Sequence, residues 1–250
     1  MVTLALDTSH PAGAVSLARD GVVLGTGHFA QPSSHLVALA QTVEQLLAEA
    51  SLVPRDVTRV AVVIGPGSFT GLRIGLSFAK GLHAAGGADI VPIDSLSLLA
   101  LPLLERHERV CAMIDARRGE VYAAVHARST DDERRVNAAA TRVTVAPCAR
   151  TPAAFLAEFR EPPGIFVGSG AIAARAAIEA HFPAAVFADT AACLPDTALL
   201  ARIAPGMRAL DRAEVRRLEP FYLRPSGAER VRLKSHGRGS DDGAGGPHNE

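Results

Sequence analysis

The segment Gly65-Pro-Gly-Ser-Phe-Thr-Gly-Leu-Arg-Ile-Gly75 comes directly after the β-branched run Val60-Ala-Val-Val-Ile64 and opens a helical pattern that reaches about Ala85. This order predicts a buried strand, a glycine-containing loop and a helix. Unpaired amides at the start of a helix, together with its dipole, can hold an anion, so the junction is a candidate phosphate site. The same glycines could equally serve close packing.

The loop departs from two phosphate-binding motifs. A Walker A loop would continue from Gly71 with lysine and then serine or threonine, but Leu72 and Arg73 stand there. A dinucleotide-binding loop would need its third glycine at Thr70, and the glycine comes one residue later. Both motifs are therefore disfavoured.

Small residues recur along one face of the predicted helix. Gly71, Gly75 and Ala79 are spaced four apart, so they lie on the same side. Each interior glycine costs about 1 kcal/mol of helix propensity, which close approach by another part of a backbone would explain. The pattern alone leaves open whether that neighbour belongs to this chain or to a partner.

The elements around this segment form a first half. Three short apolar segments separated by turns predict a three-stranded meander at residues 2–6, 14–18 and 22–28. A helix over residues 36–50 follows, with Ser33 and Ser34 as possible caps. A strand at 90–93 and a helix from 95 to about 106 complete the half.

A second half repeats the order of the first. A strand ending in Asp7 and a turn to Gly13 are echoed by a strand ending in Asp115 and a turn to Gly119, and Gly168-Ser-Gly170 again opens a helix. This layout predicts an α/β chain with the duplicated ribonuclease-H-like fold of actin-like ATPases, in two β-meander-plus-αβ subdomains. We assign the ranges 1–106 and 107–225 to the subdomains and 226–250 to a polar, glycine-rich, disordered tail.

The paired turns suggest a nucleotide site. In this architecture such turns face one another across a cleft, where carboxylates can hold a nucleotide's metal ion. The candidates are Asp7, Asp115, Gly168 and Gly170. The alternative for each aspartate is a side chain that caps its own turn.

Composition excludes several classes of protein. Basic and acidic residues both number 26, so the formal net charge of +0 gives no general attraction to nucleic acid. The three cysteines lie far apart, which disfavours a zinc or redox site built from a cysteine pair. No two histidines stand three or four residues apart, which disfavours a metal site on one helix. No Gly-x-Ser-x-Gly elbow occurs, which disfavours a serine hydrolase. No membrane-length apolar run or signal segment is recognised, so we expect a cytoplasmic protein without membrane contact.

Four segments together resemble the TsaB (YeaZ) family of tRNA threonylcarbamoyladenosine biosynthesis subunits. They are Leu4-Ala-Leu-Asp-Thr-Ser9, Gly65 to Gly75 as quoted above, Ile114-Asp-Ala-Arg-Arg-Gly-Glu-Val-Tyr122 and Pro220-Phe-Tyr-Leu-Arg224. The resemblance implies a non-catalytic subunit that works with a TsaD-like catalytic subunit, a TsaE-like ATPase and a TsaC-like enzyme. Together they transfer threonylcarbamoyl to the adenosine adjacent to the anticodon in tRNAs reading ANN codons.

The resemblance also implies where partners bind. ATP, ADP and metal are expected on partner subunits, with no cofactor on this chain, and tRNA is reached indirectly through the complex. The family interface maps onto helices at 34–50 and 70–85, which gives a set of predicted interface residues that can face TsaD or, in the isolated chain, a second copy: His35, Leu39, Gly71, Arg73, Gly75 and Ala79.

Two rival functions stay open at the level of sequence. One is an active actin-like or sugar-kinase-like ATPase or phosphotransferase that uses Asp7, Asp115 and the Gly168 loop. The other is a metalloprotease, which the histidine spacing opposes.

Overall fold

The computed structural model describes residues 1–29, 35–130 and 141–224. The predicted caps Ser33 and Ser34 and the predicted disorder of 226–250 lie outside these residues. So does the side chain of the predicted interface residue His35, whose backbone begins the first helix.

The described residues form two rounds of strands and helices. The strands are β1 (Val2–Asp7), β2 (Gly13–Arg19), β3 (Val22–Phe29), β4 (Arg59–Val63), β5 (Asp89–Ile93), β6 (Arg109–Asp115), β7 (Val121–Ala127), β8 (Arg142–Arg150) and β9 (Ile165–Val167). The α-helices are α1 (His35–Glu49), α2 (Phe69–Gly86), α3 (Ser95–Ala100), α4 (Pro152–Leu156), α5 (Ser169–Ala173), α6 (Arg175–His181), α7 (Thr197–Ile203) and α8 (Arg212–Arg217). Short 3₁₀ turns lie at Pro54–Asp56, Thr190–Cys193 and Ala204–Gly206.

Both sheets share one topology. The first sheet has the order β3-β2-β1-β4-β5, and the second has the order β8-β7-β6-β9. In each, an antiparallel meander is extended by a strand parallel to its first strand, so β4 lies beside β1 and β9 beside β6. This repetition confirms the predicted duplicated ribonuclease-H-like, actin-like α/β fold.

Apolar side chains on both faces hold the first sheet between layers. Leu4 and Leu6 of β1 point into a core that α1 and α2 cover, whereas Ala5 points to the opposite face. Strand β1 is central and its side chains are buried, as expected for a strand covered on both sides. The two turns that follow β1 and β4 therefore start from fixed positions.

The last part of the chain returns to the first sheet, which corrects the predicted boundaries of 107–225 for the second subdomain. Leu200 of α7 packs in the same core as Ala5. The Thr197 and Ser16 hydroxyls share a buried hydrogen bond of 2.8 Å. The guanidinium of Arg59 donates to the carbonyl oxygen of Ala204 at 2.8 Å. The physical reason is that the β1–β4 face opposite α1 is apolar and needs cover, which α7 supplies.

The segment 218–224, called the strap below, ties the two halves together. The Phe221 amide donates to the Ile64 carbonyl oxygen at 2.7 Å, at the start of the glycine loop. The Lys80 ammonium donates to the Leu218 carbonyl oxygen at 2.7 Å. The Arg224 guanidinium donates to the Ala116 carbonyl oxygen at 3.0 Å in the second half. These three contacts anchor the strap to both halves.

Among the residues described, no helix is both long and apolar enough to cross a membrane.

Candidate functional site

The glycines of the first loop allow α2 to lie directly on the β1–β2 turn. A Cβ on Gly71 would be 1.9 Å from the carbonyl oxygen of Thr8, and one on Gly75 would be 2.3 Å from the Thr8 hydroxyl. A Cβ on Gly67 would be 2.5 Å from the carbonyl oxygen of Ser9. The small-residue face of α2 is therefore filled by this chain's own turn, which settles the alternative that the sequence left open.

Some amides at the start of α2 are also occupied. The Ser68 amide donates to the Ser9 carbonyl oxygen at 2.7 Å, and the Gly71 amide donates to the Ser68 hydroxyl at 3.2 Å. The Leu72 amide donates to the Ser68 carbonyl oxygen at 2.9 Å. Because Gly67, Gly71 and Gly75 also lie directly against Ser9 and Thr8, the loop in this conformation is a packed junction.

The second glycine loop repeats this arrangement. A Cβ on Gly168 would be 2.2 Å from the Met113 carbonyl oxygen, and one on Gly170 would be 2.7 Å from the Ile114 carbonyl carbon. The Gly168 amide donates to the Cys193 sulfur at 3.4 Å. Gly168 and Gly170 thus serve close approach of α5 to β6, as the first-loop glycines do for α2 and β1.

Each candidate aspartate holds its own turn. The Asp7 carboxylate accepts a hydrogen bond from the Ser9 amide at 2.8 Å, and the Asp115 carboxylate accepts one from the Arg117 amide at 2.8 Å. Asp7 is buried, and this burial raises the pKa of its carboxyl, although hydrogen bonds from Ser9 and the nearby His10 act to lower it. Asp115 is partly exposed and lies 3.7 Å from the Arg117 guanidinium.

A cleft of about 280 Å³ opens between the two turns. Ser9 and Ser68 line it from the first half, and Asp115, Tyr122 and Ser169 line it from the second. The structure thus brings the two duplicated turns together, as predicted. Of the four predicted nucleotide-site residues, Asp115 lines the cleft, whereas Asp7, Gly168 and Gly170 do not. Three serines, Ser9, Ser68 and Ser169, are among the residues that line the cleft, and none of them was among the predicted site residues.

An aromatic stack beside the loop was missed at the level of sequence. The rings of Phe69 and Tyr222 stack with centroids 4.8 Å apart, and the Arg73 guanidinium lies 4.0 Å from the Phe69 ring centroid. The Arg73 Nε also donates to the Tyr222 hydroxyl at 3.0 Å. Both aromatic residues stand in the family-like segments, but 153 positions of chain separate them, and no local pattern links residues that far apart.

The structure corrects most of the predicted partner-interface set. Leu39, Gly71, Gly75 and Ala79 are buried within the chain, because they face the first sheet or the Thr8 turn. Arg73 is exposed on α2. The large apolar residues exposed on the neighbouring helix are instead Leu36 and Val37, at 53% and 54% exposure. They stand directly after His35, beyond the helix face that covers the core.

Potential metal ligands are dispersed. No cluster of three or more histidine, cysteine, aspartate or glutamate residues that could hold a metal ion occurs in the ranges 1–29, 35–130 and 141–224. Cys111, Cys148 and Cys193 are free thiols, and burial raises the pKa of Cys111 and of Cys148.

Comparisons with the sequences of known proteins identify relatives of this chain. A family model described as TsaD, tRNA N6-adenosine threonylcarbamoyltransferase, matches residues 30–224. The tRNA threonylcarbamoyladenosine biosynthesis protein TsaB of Haemophilus influenzae is 37% identical over 124 residues, which are 49% of this chain and 52% of that protein. Its Escherichia coli K12 counterpart is 36% identical over 131 residues, 51% of this chain and 56% of that protein. The chain thus spans about half the length of the curated relatives it matches.

Solved structures extend the likeness over most of the fold. YeaZ from Pseudomonas aeruginosa superimposes with a TM-score of 0.67 at 26% identity, covering 89% of this chain and 99% of that one. A second Pseudomonas aeruginosa structure, described as similar to peptidase YeaZ, gives a TM-score of 0.69 at 27% identity with the same coverage. The chain therefore belongs to the family that the TsaD model describes and, within it, is a member of the TsaB (YeaZ) family.

Proposed function

We propose that this chain is a non-catalytic subunit that activates a TsaD-like catalytic subunit in tRNA threonylcarbamoyladenosine biosynthesis. The reaction is threonylcarbamoyl transfer to the adenosine adjacent to the anticodon in tRNAs that read ANN codons. The family membership and the names of the TsaB relatives support the pathway. ATP and metal would then be bound by the TsaD-like and TsaE-like partners, in the cytoplasm.

One observation carries the non-catalytic part of the proposal: several groups that could bind a nucleotide are engaged with the chain itself. The Ser68 amide bonds to Ser9, and the Gly168 amide bonds to the Cys193 sulfur. The Asp7 and Asp115 carboxylates accept hydrogen bonds from their own turns. These contacts hold the duplicated turns in place, which suits a scaffold whose role is to present a fixed surface.

The surface that suits a partner is the exposed side of α1 and α2, two helices in contact with each other. Leu36 and Val37 place apolar side chains in solvent at the start of α1, and Arg73 is exposed on α2. Exposed apolar residues are typical of a protein–protein interface. We therefore move the proposed interface from the buried glycine face of α2 to this outer face, where it could also pair two copies of the chain.

Reconstitution tests the proposed function. TsaD-like, TsaE-like and TsaC-like proteins from the same organism would be incubated with ATP, threonine, bicarbonate and an ANN-decoding tRNA, with and without this chain. Modified adenosine should form only when the chain is present. The isolated chain with ATP and magnesium is the control for the rival ATPase. ATP turnover that disappears in an Asp115→Ala variant would overturn the non-catalytic assignment.

A further inference from the structure

A basic basin lies at the edge of the second sheet. It has a volume of about 510 Å³, and its lining includes Arg109, Arg128, Arg142 and Glu108. Three arginines and one glutamate thus line the basin, which gives the lining an excess of positive charge. Because the chain as a whole has a formal net charge of +0, this excess is a local feature and not part of a general positive charge. The functions discussed above make no use of it.

Strand register explains how the basin forms. Arg109 of β6 pairs with Ala127 of β7, which in turn pairs with Arg142 of β8. Residues directly opposite one another on neighbouring strands point to the same face, so both arginines stand on the side of Ala127. Strands lie about 4.8 Å apart, which places the two arginine positions roughly 10 Å apart. The short Ala127 side chain leaves the space between them open.

The third arginine is fixed in place. The Arg128 Nε donates to the Leu104 carbonyl oxygen at 2.8 Å, and one of its terminal nitrogens donates to the Glu105 carbonyl oxygen at 2.9 Å. A guanidinium carries five N–H donors, so three remain for other acceptors. Arg109 and Arg142 are exposed and form no salt bridge with any residue in the part of the chain that the structure describes.

The basin is separate from the cleft. Strand β6 begins at Arg109 and ends at Asp115, the aspartate of the cleft. Six residue steps of about 3.3 Å along a strand amount to roughly 20 Å. A ligand in the basin would therefore leave the cleft unobstructed, and the sheet between them would fix their relative position.

We propose that Arg109, Arg128 and Arg142 form a binding site for phosphate groups of RNA. Arginine forks match phosphate oxygens in geometry and charge. A phosphodiester backbone presents several phosphates in a row, so it can reach guanidinium groups about 10 Å apart, whereas a single free phosphate engages fewer of them. This inference rests on the proposed function, because a subunit of a tRNA-modifying complex meets RNA as part of its work.

Direct binding of a fluorescently labelled tRNA transcript to the full chain tests the site. Anisotropy titrations at 50 to 200 mM salt would compare the wild type with an Arg109→Gln/Arg142→Gln variant. Each lost phosphate contact should reduce the magnitude of the slope of log K against log salt concentration by about 0.9. The double variant, which loses two contacts, should therefore have a slope smaller in magnitude by about 2. At 50 mM salt its affinity should fall about tenfold, to the level of non-specific binding by the rest of the surface.

An Arg19→Gln/Arg55→Gln variant is the matched control, because it removes the same charge from two exposed arginines of the first half. The control should bind tRNA nearly as the wild type does. An Arg109→Lys/Arg142→Lys variant should be intermediate, since lysine keeps the charge and loses the fork. Thermal unfolding of each variant checks that the fold is retained.

Three outcomes would overturn the proposal. The basin variant could bind tRNA as tightly as the wild type, or the control variant could lose as much affinity as the basin variant. Alternatively, inorganic phosphate could stabilise the wild type and not the basin variant while tRNA affinity stays equal, which would assign the arginines to a free anion. The assay contains no partner subunit, so tRNA binding through these arginines can succeed even where reconstitution of the modification fails, and the reverse.

Discussion

Thr8 and Gly71 fasten the end of β1 to the first turn of α2. The Thr8 hydroxyl donates to the Gly71 carbonyl oxygen at 2.7 Å, and a Cβ added to Gly71 would lie 1.9 Å from the Thr8 carbonyl oxygen. The Thr8 side chain thus bonds to the Gly71 backbone, and the Thr8 backbone packs closely against Gly71. The close approach exists only because position 71 has no side chain.

Gly71→Ala should therefore destabilise the chain strongly, by about 3 kcal/mol or more, because backbone must move to admit the methyl group. Gly81 lies on the same helix with nothing within 4 Å of an added Cβ. Gly81→Ala should instead raise the free energy of unfolding by about 0.5–1 kcal/mol through helix propensity. Urea denaturation of both variants gives the comparison. Equal effects at the two positions would contradict the packing role of Gly71.

Asp7→Asn tests the buried carboxyl. Burial raises the pKa of Asp7 in the folded chain, so the folded state keeps its proton to higher pH than the unfolded state does. The contribution of this group to stability is therefore present at low pH and is lost as pH rises through the folded-state pKa. Asparagine keeps an oxygen acceptor for the Ser9 amide and carries no charge.

The free energy of unfolding of Asp7→Asn relative to wild type should consequently increase between pH 4 and pH 7. Urea titrations at several pH values measure it. Asp115→Asn, at the matching and partly exposed position of the second half, is the control for replacing a turn-capping carboxylate with an amide. A difference between Asp7→Asn and wild type that stays constant or shrinks as pH rises would count against a desolvated carboxyl at Asp7.

Local pattern was sufficient to predict the fold. The short apolar segments separated by turns over residues 2–28 and the matched Asp-turn-Gly order around Asp7 and Asp115 are short-range signals, and they predicted both meanders. The return of α7 to the first sheet was missed, because Leu200 meets Ala5 across nearly the whole chain. No local sequence pattern around Leu200 indicates which of the two sheets it packs against.

The site was predictable only in outline. Glycine spacing showed that something approaches α2 closely, but Thr8, the neighbour, is 63 positions from Gly71, and nothing in the segment Leu4 to Ser9 indicates which helix it contacts. The same spacing suggested a partner surface, because a stripe of small residues can pack against a partner's helix or against another part of the same chain. Leu39 and Ala79 are buried within the chain, which excludes them from a partner surface, and this burial is known only from the folded structure.

Tyr222 should control whether the strap stays docked. Tyr222→Phe keeps the stack on Phe69 and loses the hydrogen bond from Arg73, which is worth about 1 kcal/mol or less at an exposed position. Tyr222→Ala also loses the stack, worth about 0.5–1.5 kcal/mol more. Hydrogen exchange of the Phe221 amide, which bonds to Ile64, should therefore be much faster in the alanine variant and near wild type in the phenylalanine variant. Similar exchange in both variants would show that the strap is held elsewhere.

Val37→Glu tests the proposed partner face on α1. Val37 is 54% exposed, so the substitution should leave the free energy of unfolding nearly unchanged, whereas an interface would have to bury an unpaired carboxylate. Binding to the TsaD-like subunit, measured by titration calorimetry, should weaken at least about tenfold. Val22→Glu, on β3 at 66% exposure, makes the same chemical change outside the two helices and should bind as the wild type does. Undiminished binding by Val37→Glu, or equal loss in Val22→Glu, would place the partner on another surface.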